Sequence, residues 1–164
     1  MTKPPALFHV SRESLKAAAD QLYERLRQEA SHVFFECNWL DNVPDEPGVY
    51  LIWNTQGELV YVGEASNLRA RMKDIGRTYN HTCRRAVGKH EFADHPQYVE
   101  LTDNKSKYHP GVEAAITAYF KEQLKIAFEH VTFGRLELEY YLIEQRIPGF
   151  KPKYNSKTYK RARS

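Results

Sequence analysis

Leu15, Ala18, Leu22 and Leu26 recur near the start of the chain at the spacing that lines one stripe of a helix. With Ser11 as a capping residue, this pattern predicts an amphipathic helix over residues 11–29 whose role is packing. The periodicity then stops. Residues 32–47 mix aromatics with Asn42, Pro44, Asp45, Glu46 and Pro47, which reads as a linker ending in a turn. Residues 48–53 and 58–63 are rich in β-branched and aromatic side chains and flank Asn54-Thr55-Gln56-Gly57, so they predict a β-hairpin. Leu68 and Met72 share a face of the helix that follows, with Ser66 or Asn67 as its cap.

Residues 77–110 show little periodicity and hold four of the seven histidines, the pattern of a long insertion with a short strand near Tyr98 to Leu101. Ala115, Ile116, Tyr119 and Phe120 support a second helix over 112–125, and residues 126–129 read as a third strand. Thr132 can cap a last helix over 136–144, which Pro148-Gly149 breaks before an extended segment over 151–155. No internal repeat is present.

Composition adds bounds. A chain of 164 residues with 41% hydrophobic residues suits one domain with one real core. No apolar run reaches the roughly 18 residues of a membrane span, and residues 1–14 lack the run and cleavage site of a signal peptide, so the expected place is the cytoplasm. Cys37 and Cys83 are then expected as free thiols.

The net charge of +3 does not by itself indicate nucleic acid, but its distribution does more. Arg69, Arg71, Lys73 and Arg77 form one basic group, with Arg84, Arg85 and Lys89 close behind. Lys151, Lys153, Lys157, Lys160, Arg161 and Arg163 form another, interleaved with Tyr154 and Tyr159 in a way that suits phosphates and bases. A solvated terminus explains that tail equally well. From these groups, Arg69, Lys73, Arg77, Lys151 and Lys153 are the candidate nucleic-acid contacts.

Four features converge on one chemistry. Tyr50 and Tyr61 lie on neighbouring strands of one hairpin, close enough for both hydroxyls to flank a small site. Arg71 sits on the helix just beyond, and its planar fork suits a phosphate. The mostly apolar helix over 136–144 carries Glu137, Glu139 and Glu144, and a glutamate on such a helix has a reason to be there if it binds a hard cation. Phosphodiester cleavage needs an activated water, a charge clamp and help for the leaving oxygen. Taken singly, the tyrosines suit any strand and the arginine any helix surface.

Gly48-Val49-Tyr50, followed by Tyr61-Val62-Gly63, resembles the GIY…YIG signature of the GIY-YIG nuclease superfamily. Leu68-Arg69-Ala70-Arg71 looks like the segment that bears the family's arginine, and Leu138-Glu139-Tyr140-Tyr141-Leu142-Ile143 like the helix that bears its metal-binding glutamate. Pro152-Lys153-Tyr154-Asn155 is similar to the P-x-Y-N ending of the nuclease half of bacterial excision-repair endonucleases. The four blocks stand in the family's order over residues 48–155, which sets off an N-terminal extension and linker over 1–47 and a basic tail over 156–164.

The resemblance implies an α+β fold: a three-stranded antiparallel sheet flanked by helices, here with an N-terminal helix and an inserted loop and helix region. It implies a divalent metal, Mg²⁺ or Mn²⁺, on Glu139, a water activated by Tyr61 with Tyr50 as its hydrogen-bonding partner, Arg71 on the phosphate and Asn155 positioning the site. Gly63 would admit a close approach of substrate or backbone. The implied partner is nucleic acid, DNA first, with no membrane; nothing sets a protein partner or an oligomeric state.

The sequence also departs from the pattern. Glu64 stands where repair enzymes often have Lys, and Ile75 where relatives often have His or Tyr, a place that Tyr79 or His81 could fill from the insertion. The interval from Glu139 to Asn155 is longer than in the repair enzymes. These departures keep two alternatives in view: a catalytically weak nucleic-acid-binding module of the same fold, and a protein-interaction domain that reuses it. His81, Cys83, His90 and His95 could bind zinc, but their spacing matches no common finger, and a polar loop is the simpler reading.

Overall fold

A computed structural model describes residues 11–29, 32–79, 81–144, 146 and 151–155. The basic tail over 156–164 and the Pro148-Gly149 stop lie outside the described residues. In chain order the elements are α1 (Arg12–Glu29), β1 (His32–Val33), β2 (Gly48–Asn54), β3 (Leu59–Ala65), α2 (Leu68–Asp74), α3 (Thr82–Glu91), α4 (Pro110–Gln123), β4 (Leu124–His130) and α5 (Arg135–Glu144). The architecture is α+β. The three expected strands are present, and the two-residue β1 adds a fourth, giving an antiparallel sheet in the order β1-β4-β2-β3.

Both faces of this sheet are covered, which explains why β2 reads as a nearly unbroken apolar run. Tyr50, Ile52 and Tyr61 face a core built with Leu68 and Met72 of α2, Cys83 and Val87 of α3, and Ile116 and Phe120 of α4. Val49, Leu51, Trp53 and Val62 face the opposite core, formed with Leu22 and Leu26 of α1 and Leu142 and Ile143 of α5. In α1, Ala19 and Tyr23 join the buried stripe, while Ala18 is exposed.

The hairpin turn is closed by Asn54, whose Oδ1 accepts from Gln56 N at 3.0 Å and Glu58 N at 2.9 Å, and by Gly57 at φ +78°. Asn67 is the cap of α2, accepting from Ala70 N at 2.8 Å. Two further amides of α2 donate into the preceding segment, Leu68 N to Glu46 O at 2.8 Å and Arg69 N to Pro44 O at 3.1 Å. Those bonds satisfy donors that a helix start otherwise leaves open, and they fix the angle at which Arg71 approaches the sheet.

Gly48 marks a second point of close approach. A Cβ there would stand 2.2 Å from Glu129 O and 2.6 Å from Leu68 Cδ1, so β2, β4 and α2 can meet only around a glycine.

The 77–110 region holds a loop and a helix as expected, but lacks the expected strand. Residues 82–91 form α3, and residues 98–101 form no strand. The helix lacks an apolar period because its buried residues are Cys83, Arg84, Val87 and Gly88, and Gly88 lies against the Tyr108 ring. Tyr98 packs on Tyr108 at 5.5 Å between ring centroids instead of pairing with the sheet. The next helix starts earlier than its apolar pattern suggests, with Pro110 in its first turn and His109 Nδ1 accepting from Gly111 N at 3.1 Å. No helix among the described residues is long and apolar enough to cross a membrane. Cys37 is exposed and Cys83 buried, and both are free thiols.

Candidate active site

β3 is an edge strand with β2 on one side only. Its open edge is met by residues 151–155. Tyr154 N donates to Val60 O at 2.9 Å. Asn155 then uses its whole amide on one backbone residue: Oδ1 accepts from Val62 N at 2.9 Å, and Nδ2 donates to Val62 O at 2.8 Å. The side chain thus stands in for a paired strand.

Along this edge, helices from opposite faces of the sheet reach one open cleft of about 370 Å³. Its walls include Tyr61 of β3, Arg71 of α2, Glu139 of α5 and Asn155, four of the five residues expected to carry the chemistry. Tyr50, the fifth, lies beneath them, fully buried. Register explains the placement: Tyr50 pairs with Gly63 and Ile52 with Tyr61, so the two tyrosines are diagonal neighbours on one face, with ring centroids 5.9 Å apart. Arg71 Nε donates to the Tyr50 hydroxyl at 3.3 Å, and that hydroxyl lies 3.4 Å from Nε2 of His81.

The electrostatics divide the roles. Burial pushes the Tyr50 phenol up to about 12, against the pull of the Arg71 guanidinium. Burial likewise raises Tyr61 well above its ordinary value, and the Tyr50 oxygen adds to the effect. His81 is held far below its usual range by burial and by the nearby Arg71 and Arg84, so it is neutral. Because Arg71 already donates to the Tyr50 oxygen, the Tyr50 proton is available to a neutral His81 Nε2, an assignment that follows from the donor count.

Gly63, expected to admit substrate or backbone, is covered by this chain's own tyrosine. A Cβ on it would stand 2.3 Å from Tyr50 Cζ and 2.4 Å from the hydroxyl. The departures from the family pattern also have physical explanations. Glu64 lies on the cleft wall and binds Arg135 Nε at 2.7 Å, so α5 brings a cation to that rim. Ile75 is wholly buried, while His81 reaches Tyr50 from the start of α3 and Tyr79 stays exposed. Asp74 and Thr82 also line the cleft; neither carries a sequence pattern that marks it.

None of the five candidate nucleic-acid contacts lines this cleft. Arg69 donates to Val43 O at 2.9 Å, Lys73 and Arg77 are exposed, Lys151 pairs with Glu144 at 3.2 Å, and Lys153 pairs with Glu91. The zinc reading does not hold. Among the described residues no three His, Cys, Asp or Glu side chains gather as a zinc held wholly by protein ligands would require. His81 and Cys83 are buried under the tyrosines, His90 lies by Tyr154, and His95 accepts from Gln97 N.

Asn155→Ala leaves a buried N–H and a buried C=O of Val62 without partners, each costing about 1–3 kcal/mol. Thermal unfolding should therefore show a drop of several degrees, with cleft geometry lost in step. An unchanged midpoint would mean that Asn155 is not what closes this edge.

Residues 46–106 match the family model of the UvrC-like GIY-YIG domain. That stretch includes Tyr50, Tyr61, Arg71 and His81, and ends before Glu139 and Asn155. UvrABC system protein C of Acidothermus cellulolyticus is 31% identical over 112 residues, 68% of this chain and 13% of that protein. The protein of the same name from Synechocystis sp. is 43% identical over 49 residues, 29% of this chain and 8% of its own length. That from Anaeromyxobacter dehalogenans is 54% identical over 41 residues, 23% of this chain and 6% of its own length. The chain thus spans only 13% or less of the length of these relatives. No solved structure matches it.

Proposed function

We propose, for a chain that belongs to the GIY-YIG superfamily and carries its UvrC-like domain, a metal-dependent endonuclease activity that hydrolyses phosphodiester bonds in DNA. The observation that carries this reading is the meeting of Tyr61, Arg71, Glu139 and Asn155 in one cleft, from four separate segments of the chain.

A divalent cation fits the donor set. Mg²⁺ keeps several of its waters and is commonly held through one or two carboxylates together with substrate phosphates. Glu139, nine per cent exposed on the cleft wall, offers one such carboxylate. Bound there, Mg²⁺ or Mn²⁺ supplies a Lewis acid for the phosphoryl oxygen.

The remaining roles belong to the chain's own groups. Tyr61 faces the cleft and takes the proton of the attacking water. Tyr50, committed to Arg71 and His81, holds that cluster in place. Arg71 balances charge growing on the phosphate, with its guanidinium already aimed by the Tyr50 oxygen. Asn155 holds β3 at the strand edge where Tyr61 projects. Plasmid DNA incubated with Mg²⁺ or Mn²⁺ tests the reading: Tyr61→Phe should cut at least about a hundredfold more slowly than the parent chain. Equal rates for the two would overturn the assignment of Tyr61.

The pH dependence follows from the raised phenol. Tyr61 must lose a proton to act as base, and its buried surroundings keep that proton on. Cleavage should accelerate about tenfold per pH unit between about pH 6 and 9. His81 imposes no acid limb, because it is already neutral. Stability has the opposite sign: Tyr50 ionises near 10 unfolded and near 12 folded, so its contribution is complete below 10 and lost as pH rises through 12. A rate that peaks near pH 7 and falls by pH 8 is inconsistent with a tyrosine base.

The second reading is a catalytically weak nucleic-acid-binding module. It is favoured by Ile75, buried where relatives often carry a proton-handling side chain, and by Glu64 paired with Arg135. Salt-sensitive DNA binding without cleavage in either metal selects it.

A further inference from the structure

A second cleft, of about 310 Å³, lies between the end of α2, α3 and α4, and its walls include Arg77, Thr78, Arg84, Lys107, Glu113 and Thr117. Arg84 is the unusual member. It is a guanidinium only 1% exposed, on a helix face otherwise formed by Cys83, Val87 and Gly88. Its Nε and Nη2 bind Glu113 Oε2 at 3.0 and 2.9 Å, and Nη2 also donates to Glu113 O and Thr117 Oγ1. Its Nη1 has no hydrogen-bond partner. Thr78 Oγ1, on a residue 1% exposed in the same cleft, has none either.

Two buried polar groups without partners around one cleft are a cost the fold bears, about 1–3 kcal/mol for each. The only carboxylate among the described residues on these walls, that of Glu113, is occupied on both oxygens, by Arg84 and by Tyr108 N at 3.1 Å. Arg77 and Lys107 stand exposed on the rim, and neither has an ion-pair partner among the described residues. Three cations therefore face one committed carboxylate. The unsatisfied N–H of Arg84 and O–H of Thr78 call for an acceptor, and the surplus charge calls for an anion.

We propose that this cleft is a second anion site that takes one phosphate group, with Arg84 Nη1 and Thr78 Oγ1 as its inner donors and Arg77 and Lys107 as its outer ones. The inner atoms are shut off from solvent, so binding opens the floor of the cleft locally. The site adjoins the catalytic cleft through α3, where Thr82 lines one cleft and Arg84, two residues on, lines the other. A phosphate held here is thus suited to be part of a strand whose scissile bond lies at Glu139. That use rests on the nuclease reading, whereas the anion site itself does not.

The test is an NMR titration of the full-length ¹⁵N-labelled chain with inorganic phosphate, against chloride at matched ionic strength. It follows the Thr78 and Arg84 amides and the Arg84 side-chain Nε–H. A saturable millimolar response, weakened about fivefold or more in the Arg77→Gln, Lys107→Gln double variant, is expected. Both substituted residues are exposed, so the variant keeps the fold. A short duplex oligonucleotide in a parallel titration separates the sources. If it moves the same signals and phosphate competes with it, the ligand is the nucleic-acid backbone; if phosphate alone moves them, it is a small phosphorylated molecule. Absence of a saturable shift, or a response equal in chloride or unchanged in the double variant, overturns the site. Loss of cleavage elsewhere in the molecule does not affect this result.

Discussion

Glu139→Gln should lower the proposed metal-dependent cleavage by about a thousandfold while leaving the fold in place, because removing the carboxylate proposed to anchor a cation forfeits several kcal/mol of transition-state charge stabilisation. The amide is nearly isosteric with the carboxylate, and the side chain is nine per cent exposed on a cleft wall, so packing around α5 changes little. The decisive comparison sets rate against thermal midpoint across a series of Mg²⁺ and Mn²⁺ concentrations. A loss of rate that excess metal partly restores identifies a ligand. A loss accompanied by a large fall in midpoint identifies a structural role. Full cleavage in the variant removes Glu139 from the mechanism and points to a contaminating nuclease.

How much of this was legible in the chain depends on the kind of signal. The hairpin was, because two short runs rich in β-branched and aromatic residues around Asn54 and Gly57 have few other solutions. The grouping of Tyr61, Arg71, Glu139 and Asn155 was legible only through the family resemblance, since no local pattern links a hairpin to a helix almost eighty residues further on. β1 was not legible: it has two residues, His32 and Val33, and no period can be read from two. A helix in the insertion could be expected but α3 could not be placed, because its buried face carries an arginine and a glycine, whose reasons to be buried, Glu113 and Tyr108, lie well downstream. The part played by His81 could be raised as an option but not chosen over Tyr79, since only the packing of α3 against β2 and β3 decides which of them meets Tyr50.

Gly63→Ala is expected to damage the site without touching any group that reacts. Its new Cβ would fall 2.3 Å from Tyr50 Cζ and 2.7 Å from Cε1, and the ring is fully buried with its hydroxyl held by Arg71 and His81. Overpacking of this kind costs about 1–3 kcal/mol. A displacement of about 1 Å near reacting groups costs about a hundredfold in rate. One methyl group should therefore lower both stability and cleavage, unlike Glu139→Gln, which should lower cleavage alone. A double-mutant cycle isolates the cause: once Tyr50→Ala has removed the ring, adding Gly63→Ala should cost little further stability. Additive losses in that cycle would show that the glycine answers to something other than the tyrosine above it. The two halves of the signature are then one packing unit, in which the second glycine is required by the volume of the first tyrosine.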